Sequence, residues 1–126
     1  MMLFKRKAKD EIKVMHYEGI NQFATDYPCT LKIKDNELII KRIKPETIVT
    51  LPMDRIKSFT AMEEKRFMQE YKGNQTGTSK FGKKYYLVVD YDKGMLVFWG
   101  TGTEYGDFVK LQNYTLDENA PTEIEL

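Results

Sequence analysis

Tyr85-Tyr86-Leu87-Val88-Val89-Asp90-Tyr91, then Asp92-Lys93-Gly94, then Met95-Leu96-Val97-Phe98-Trp99, then Gly100-Thr101-Gly102 and a helical pattern from about Thr103 to Asn113: this stretch decides the fold. Two nearly continuous apolar runs joined by a short turn read as a hairpin buried on more than one side, since a strand with one wet face would alternate. Thr101 and Glu104 have the spacing of a capping box, with Thr103 the competing cap, so the glycines end a strand and open a helix. Tyr105, Phe108, Val109 and Gln112, with Leu111, form a narrow apolar stripe on that helix. Gly106 weakens it by about 1 kcal/mol relative to alanine, so packing must hold it in place. No other stretch of the sequence carries a convincing helix pattern.

Upstream, the signals are those of short strands. Cys29 to Lys34 alternates, with Cys29, Leu31 and Ile33 to one side and Thr30, Lys32 and Lys34 to the other. Asp35-Asn36 is a two-residue turn tolerant of positive φ, which returns Glu37 to Ile43 as the hairpin partner. Lys44-Pro45-Glu46 breaks the run, because proline cannot donate to a ladder. Thr47 to Leu51 and Ile56 to Met62 read as two more strands around Pro52, and Val14 to Gly19 as the first. Asn21 to Pro28 is a polar connection carrying Phe23 and Tyr27. From Glu63 to Lys84 the apolar pattern dissolves around Gly73, Gly77 and Gly82, which predicts a long mobile loop. About seven strands and one C-terminal helix suit a mainly β fold, an antiparallel sheet bent over itself with one open end plugged by the helix.

The 126 residues are 41% hydrophobic and 13% aromatic with a formal net charge of +1, a globular composition that gives no global argument for nucleic acid or an acidic substrate. Lys5, Arg6, Lys7 and Lys9 make a basic leader over residues 1–13, and Asp117, Glu118, Glu123 and Glu125 an acidic tail over 117–126. Cys29 is the single cysteine, which excludes an internal disulfide and a zinc site built on cysteine pairs and fits a reducing compartment. No run reaches signal-peptide length or the roughly 18 apolar residues of a membrane span, so the expected location is cytoplasmic.

His16-Tyr17-Glu18-Gly19-Ile20, Leu31-Lys32-Ile33, Asp35-Asn36-Glu37-Leu38-Ile39-Ile40, Leu51-Pro52-Met53-Asp54-Arg55-Ile56 and Tyr85-Tyr86-Leu87-Val88-Val89 before a Phe108-Val109 helix resemble the bacterial pleckstrin homology-like, GRAM-related, domains. The resemblance spans about Val14 to Tyr114, with the Leu51 to Ile56 string its most specific piece. It implies a bent seven-stranded antiparallel barrel capped by one C-terminal helix, here over residues 14–116, and a binding or assembly module without catalysis. Relatives often carry a long glycine-rich insertion and an extra amino-terminal module where this chain has only Glu63 to Lys84 and the basic leader. The phosphoinositide-binding version of the fold wants basic residues around the first strand and its following loop. Here Lys32 and Lys34 supply an alternation, but Gly19 to Leu31 contains no lysine or arginine, so specific inositol-lipid binding is disfavoured.

Other motifs carry little chemistry. Gly77-Thr78-Ser79-Lys80-Phe81-Gly82-Lys83-Lys84 nearly spells a P-loop, yet it runs into a strand where a P-loop must open a helix. Gly100-Thr101-Gly102-Thr103-Glu104-Tyr105-Gly106 lies between a strand and a helix, but its third glycine is one residue late for a dinucleotide fingerprint, leaving at most a weak anion site at the helix start. His16 has no second histidine or cysteine for a metal, and Cys29 reads as a small core residue. Glu63 and Glu64, being adjacent, point to opposite faces of a strand, and of Asp90-Tyr91-Asp92 only Asp90 lies on the strand, Asp92 falling in the turn. No enzyme, cofactor or metal is expected. One candidate surface remains, the basic-aromatic segment with Lys65, Arg66, Tyr71, Lys72, Lys80, Phe81, Lys83 and Lys84 around Phe67, which could meet anionic lipid or single-stranded nucleic acid through charge and stacking. The leading expectation is an unidentified protein partner or self-association through exposed strand edges, with that anionic-surface binding as the alternative.

Overall fold

A computed structural model describes residues 11–73 and 83–119, with side chains to residue 113. The described elements are β1 (Ile12–Glu18), β2 (Tyr27–Lys34), β3 (Glu37–Arg42), β4 (Thr47–Pro52), a 3-10 turn (Met53–Arg55), β5 (Ile56–Glu63), α1 (Glu64–Tyr71), β6 (Tyr85–Tyr91), β7 (Gly94–Gly100) and α2 (Gly102–Asn119). The seven strands form one sheet in the order β4-β3-β2-β1-β7-β6-β5. Every neighbouring pair is antiparallel. The chain is thus mainly β, with a C-terminal helix, as its patterning indicated. The sheet begins at Ile12, inside the expected leader, and α2 continues beyond Asn113 as far as Asn119.

Local chemistry explains the turns. Asp35 and Asn36 both adopt positive φ, 53° and 65°, the conformation of a tight hairpin whose twist matches its strands. Gly19, at φ 117°, follows the register shift between β1 and β7; a Cβ there would lie 2.6 Å from the Met95 carbonyl oxygen, so only glycine fits. At the other end of β7 the Glu104 half of the capping box forms, while the Glu104 N–H donates to the Thr101 backbone carbonyl. Glu104 Oε1 accepts the Thr101 N–H at 2.7 Å and the Thr101 hydroxyl at 2.9 Å, and Gly100 leaves the space into which Glu104 folds back.

One core cluster draws Leu31, Leu38, Ile40 and Leu51 from β2, β3 and β4, together with Phe59, Leu87, Val89 and Phe98 from β5, β6 and β7. Residues from both ends of the strand order share this interior, so the sheet curls around it. Phe108 of α2 is fully buried in the same cluster, with Tyr105, Val109 and Leu111 packed at its margin.

The structure corrects the expectation of a single helix and of an irregular Glu63 to Lys84 loop. Glu64 to Tyr71 is helical, and it buries Phe67 on the outer face of the sheet against Met62, Tyr86, Val88 and Val97. The Phe67 ring stacks on Tyr86, with centroids 4.3 Å apart and planes 1° apart. Strand β6 is consequently covered on both faces, Leu87 and Val89 inward and Tyr86 and Val88 under α1, which accounts for its near-continuous apolar run. The glycine-containing remainder of that loop, 74–82, lies outside the described residues, as do residues 1–10 and 120–126 of the expected leader and tail.

Candidate functional site

Six of the eight candidate residues in the basic-aromatic segment are described; Lys80 and Phe81 lie outside the described residues. Lys65 and Arg66 are exposed on α1, Tyr71 ends it, Lys72 follows it, and Lys83 and Lys84 lead into β6. Several of these charges are already engaged within the fold. Arg66 Nε donates to Glu70 Oε2 at 2.8 Å, and this hydrogen bond raises the guanidinium pKa above its ordinary value. Lys72 Nζ donates to Glu18 Oε1 at 2.7 Å and lies 5.6 Å from the Tyr17 ring centroid. Lys84 Nζ sits 4.2 Å over the Trp99 ring. Tyr71 packs against Phe67, and burial pushes its phenol pKa up. Lys65 and Lys83 are exposed and have no carboxylate partner among the described residues.

The remaining candidates resolve into structural roles. Cys29 is buried, and desolvation pushes its thiol pKa up to about 12, so the reactive thiolate is suppressed. Tyr86 is likewise raised by burial, and its hydroxyl lies 3.4 Å from Glu64 Oε2. At the start of α2 the Glu104 carboxylate occupies the place an external anion would need. Among the described residues no group of three His, Cys, Asp or Glu could hold a metal ion, and no helix is long and apolar enough to cross a membrane. An open groove of about 650 Å³ lies beside Met15, Pro28, Ile43 and Trp99, with Lys13 and Glu104 also lining it.

The two outer strands of the sheet differ in a way that sequence reading missed. On β5, the Ala61 N–H donates to the side-chain carbonyl of Gln112 on α2 at 2.8 Å. The helix therefore covers that edge. On β4 the direction of each backbone group follows from the neighbouring hairpins. The tight Asp35-Asn36 turn makes Lys34 and Glu37 a hydrogen-bonded pair, so Leu38, Ile40 and Arg42 direct their backbone groups toward β4. Met53 N–H donates to the Asn36 carbonyl at 2.9 Å, which fixes the same phase from the other end. Thr47, Val49 and Leu51 are their partners. Ile48 and Thr50 therefore turn both N–H and C=O away from the sheet, and no described residue hydrogen-bonds to them. Ile48 and its neighbour at the corner, Ile43, are the exposed large hydrophobic residues among those described, at 56% and 58%. In the sequence, Thr47-Ile48-Val49-Thr50-Leu51 reads as an ordinary strand; which side of it is open depends on strand order, which local pattern does not encode.

Comparison with known protein families found no match, and comparison with curated proteins found none either.

Proposed function

We propose that the chain is a non-enzymatic binding or assembly module of the pleckstrin homology-like class, a bent barrel plugged by α2, that associates by strand addition at β4. One observation carries the reading: α2 covers the β5 edge through Gln112, whereas β4 offers the backbone groups of Ile48 and Thr50 beside an exposed isoleucine. An unpaired strand edge of this kind is a template for another strand. A second copy is the simplest occupant. Antiparallel pairing centred on Val49 sets Ile48 of each copy against Thr50 of the other and satisfies the outward groups of both. Each such hydrogen bond contributes about 0.5–1.5 kcal/mol net, so the association is expected to depend on concentration. The buried single thiol suits a reducing, cytoplasmic setting.

The alternative, binding of an anionic lipid or nucleic-acid surface by the basic-aromatic segment, is favoured by the exposed Lys65 and Lys83. It is weakened by the engagement of Arg66, Lys72 and Lys84 within the fold. Light scattering during gel filtration at low salt and near 0.5 M salt, with and without anionic vesicles, separates the two. Strand addition raises the mass above 14.8 kDa with increasing concentration at either salt. Vesicle binding that vanishes at high salt, with a monomeric protein throughout, selects the alternative.

A further inference from the structure

His16 on β1 is 1% exposed and lies edge-on to Phe23 and Phe98, with ring centroids 5.4 and 6.0 Å away. Its Nδ1 is 3.0 Å from the Ala24 carbonyl oxygen, and the Ile20 N–H donates to its Nε2 at 3.1 Å. A carbonyl can only accept and a backbone N–H can only donate, so these partners assign the ring as the neutral tautomer with its proton on Nδ1. Both bonds end on the connection between β1 and β2, residues 19–26.

That connection is built onto the sheet around the imidazole. Ile20 and Phe23 are buried in the main core. Asp26 N–H donates to the His16 carbonyl at 2.6 Å, and Trp99 Nε1 donates to Asp26 Oδ1 at 2.8 Å. Arg42 Nη1 donates to the Gln22 carbonyl at 2.5 Å, and the same guanidinium reaches Thr47 Oγ1, at the head of β4, at 2.7 Å.

A second proton on the ring would sit on Nε2 and face the Ile20 N–H, setting donor against donor and leaving that buried N–H without its acceptor. The charge would also arise between two phenyl rings. Of the charged groups on the surrounding elements, Lys13 on β1, Lys32 and Lys34 on β2, Glu37 and Lys41 on β3 and Glu104, Asp107 and Lys110 on α2 are not partners of the ring, and Asp26 on the connection, Glu18 on β1 and Arg42 on β3 are held elsewhere. The Asp26 carboxylate is taken by Trp99, the Glu18 carboxylate by Lys72, and the Arg42 guanidinium lies 4.8 Å over the Phe23 ring. None of them hydrogen-bonds to the imidazole.

We propose that His16 is a pH-sensitive latch, neutral when closed, whose protonation releases the 19–26 connection from the sheet and with it the bond between Arg42 and Gln22. This inference is independent of the association at β4.

The test is amide exchange by NMR on the full chain between about pH 7.5 and pH 5, with the ring nitrogens of His16 followed in the same samples. The expected result is an Nδ1–H tautomer at the higher pH, and protection at the Ile20 and Asp26 amides that falls about tenfold or more with the midpoint of ring protonation. The His16→Gln variant, which can donate and accept but not titrate in this range, should show no such pH step. If that variant does not fold, coincidence of the two midpoints in the native chain decides. Protection that stays constant while the ring protonates, a ring neutral across the whole range, or the same step in the glutamine variant would overturn the latch.

Discussion

Gln112 of α2 accepts the backbone N–H of Ala61 on β5 through its side-chain carbonyl at 2.8 Å. A terminal helix that plugs the interior with Phe108 thereby also finishes one border of the sheet. The bond gives a polar residue within an otherwise apolar stripe a specific task. Gln112→Ala should lower stability by about 1 kcal/mol, the usual net value of one such bond, and should speed exchange of the Ala61 amide about tenfold or more. Unchanged exchange at Ala61 would show that the edge is protected by something other than this side chain.

The second cluster makes α1 part of the folded unit. Phe67 is fully buried and stacked on Tyr86, so Phe67→Ala should cost about 3–5 kcal/mol in denaturant unfolding, the range for deleting a buried aromatic ring. Lys65→Ala, on the exposed face of the same helix, should change stability by less than about 0.5 kcal/mol. A small effect at Phe67 would mean that α1 is only loosely attached to the outer face.

Cys29 provides a pH signature. Burial pushes its thiol pKa up to about 12, above an unfolded value near 8.5, so the folded state holds the proton more tightly. This contribution to stability is complete below about pH 8.5 and is lost as pH rises toward the folded pKa. The raised phenol of Tyr86 acts in the same sense. Alkylation of the native protein near pH 8 should be much slower than in denaturant, and stability should decline above about pH 9. Equal alkylation rates in the two states would contradict the burial.

The strands were legible because their signals are local. Alternation from Cys29 to Lys34, the Asp35-Asn36 turn and the reach of Glu104 back to Thr101 each depend on residues a few positions apart, and each holds in the structure. Helix α1 was not legible. Six of its eight residues, Glu64-Lys65-Arg66 and Gln69-Glu70 with terminal Tyr71, are polar or only partly apolar, and Phe67 becomes informative only against the outer face of β6. A helix this short is marginal without such a surface. The candidate basic segment was found as a composition, but the contacts that engage its charges were hidden by distance along the chain: Lys72 pairs with Glu18 and Lys84 covers Trp99. The open β4 edge was invisible for the same reason, since it follows from the order in which distant strands meet.

Strand addition at the β4 edge is tested most directly by Thr50→Pro. Thr50 directs its N–H away from β3, so proline removes an outward donor while leaving the β3–β4 ladder intact, a setting in which an edge strand tolerates it. Light scattering during gel filtration would compare the native chain and the variant across a range of concentrations, with circular dichroism to confirm the same fold. Strand addition predicts a native mass that rises above 14.8 kDa toward a dimer and a variant that stays at 14.8 kDa. A native chain at the monomer mass at every concentration, or a folded variant that associates equally well, would contradict it.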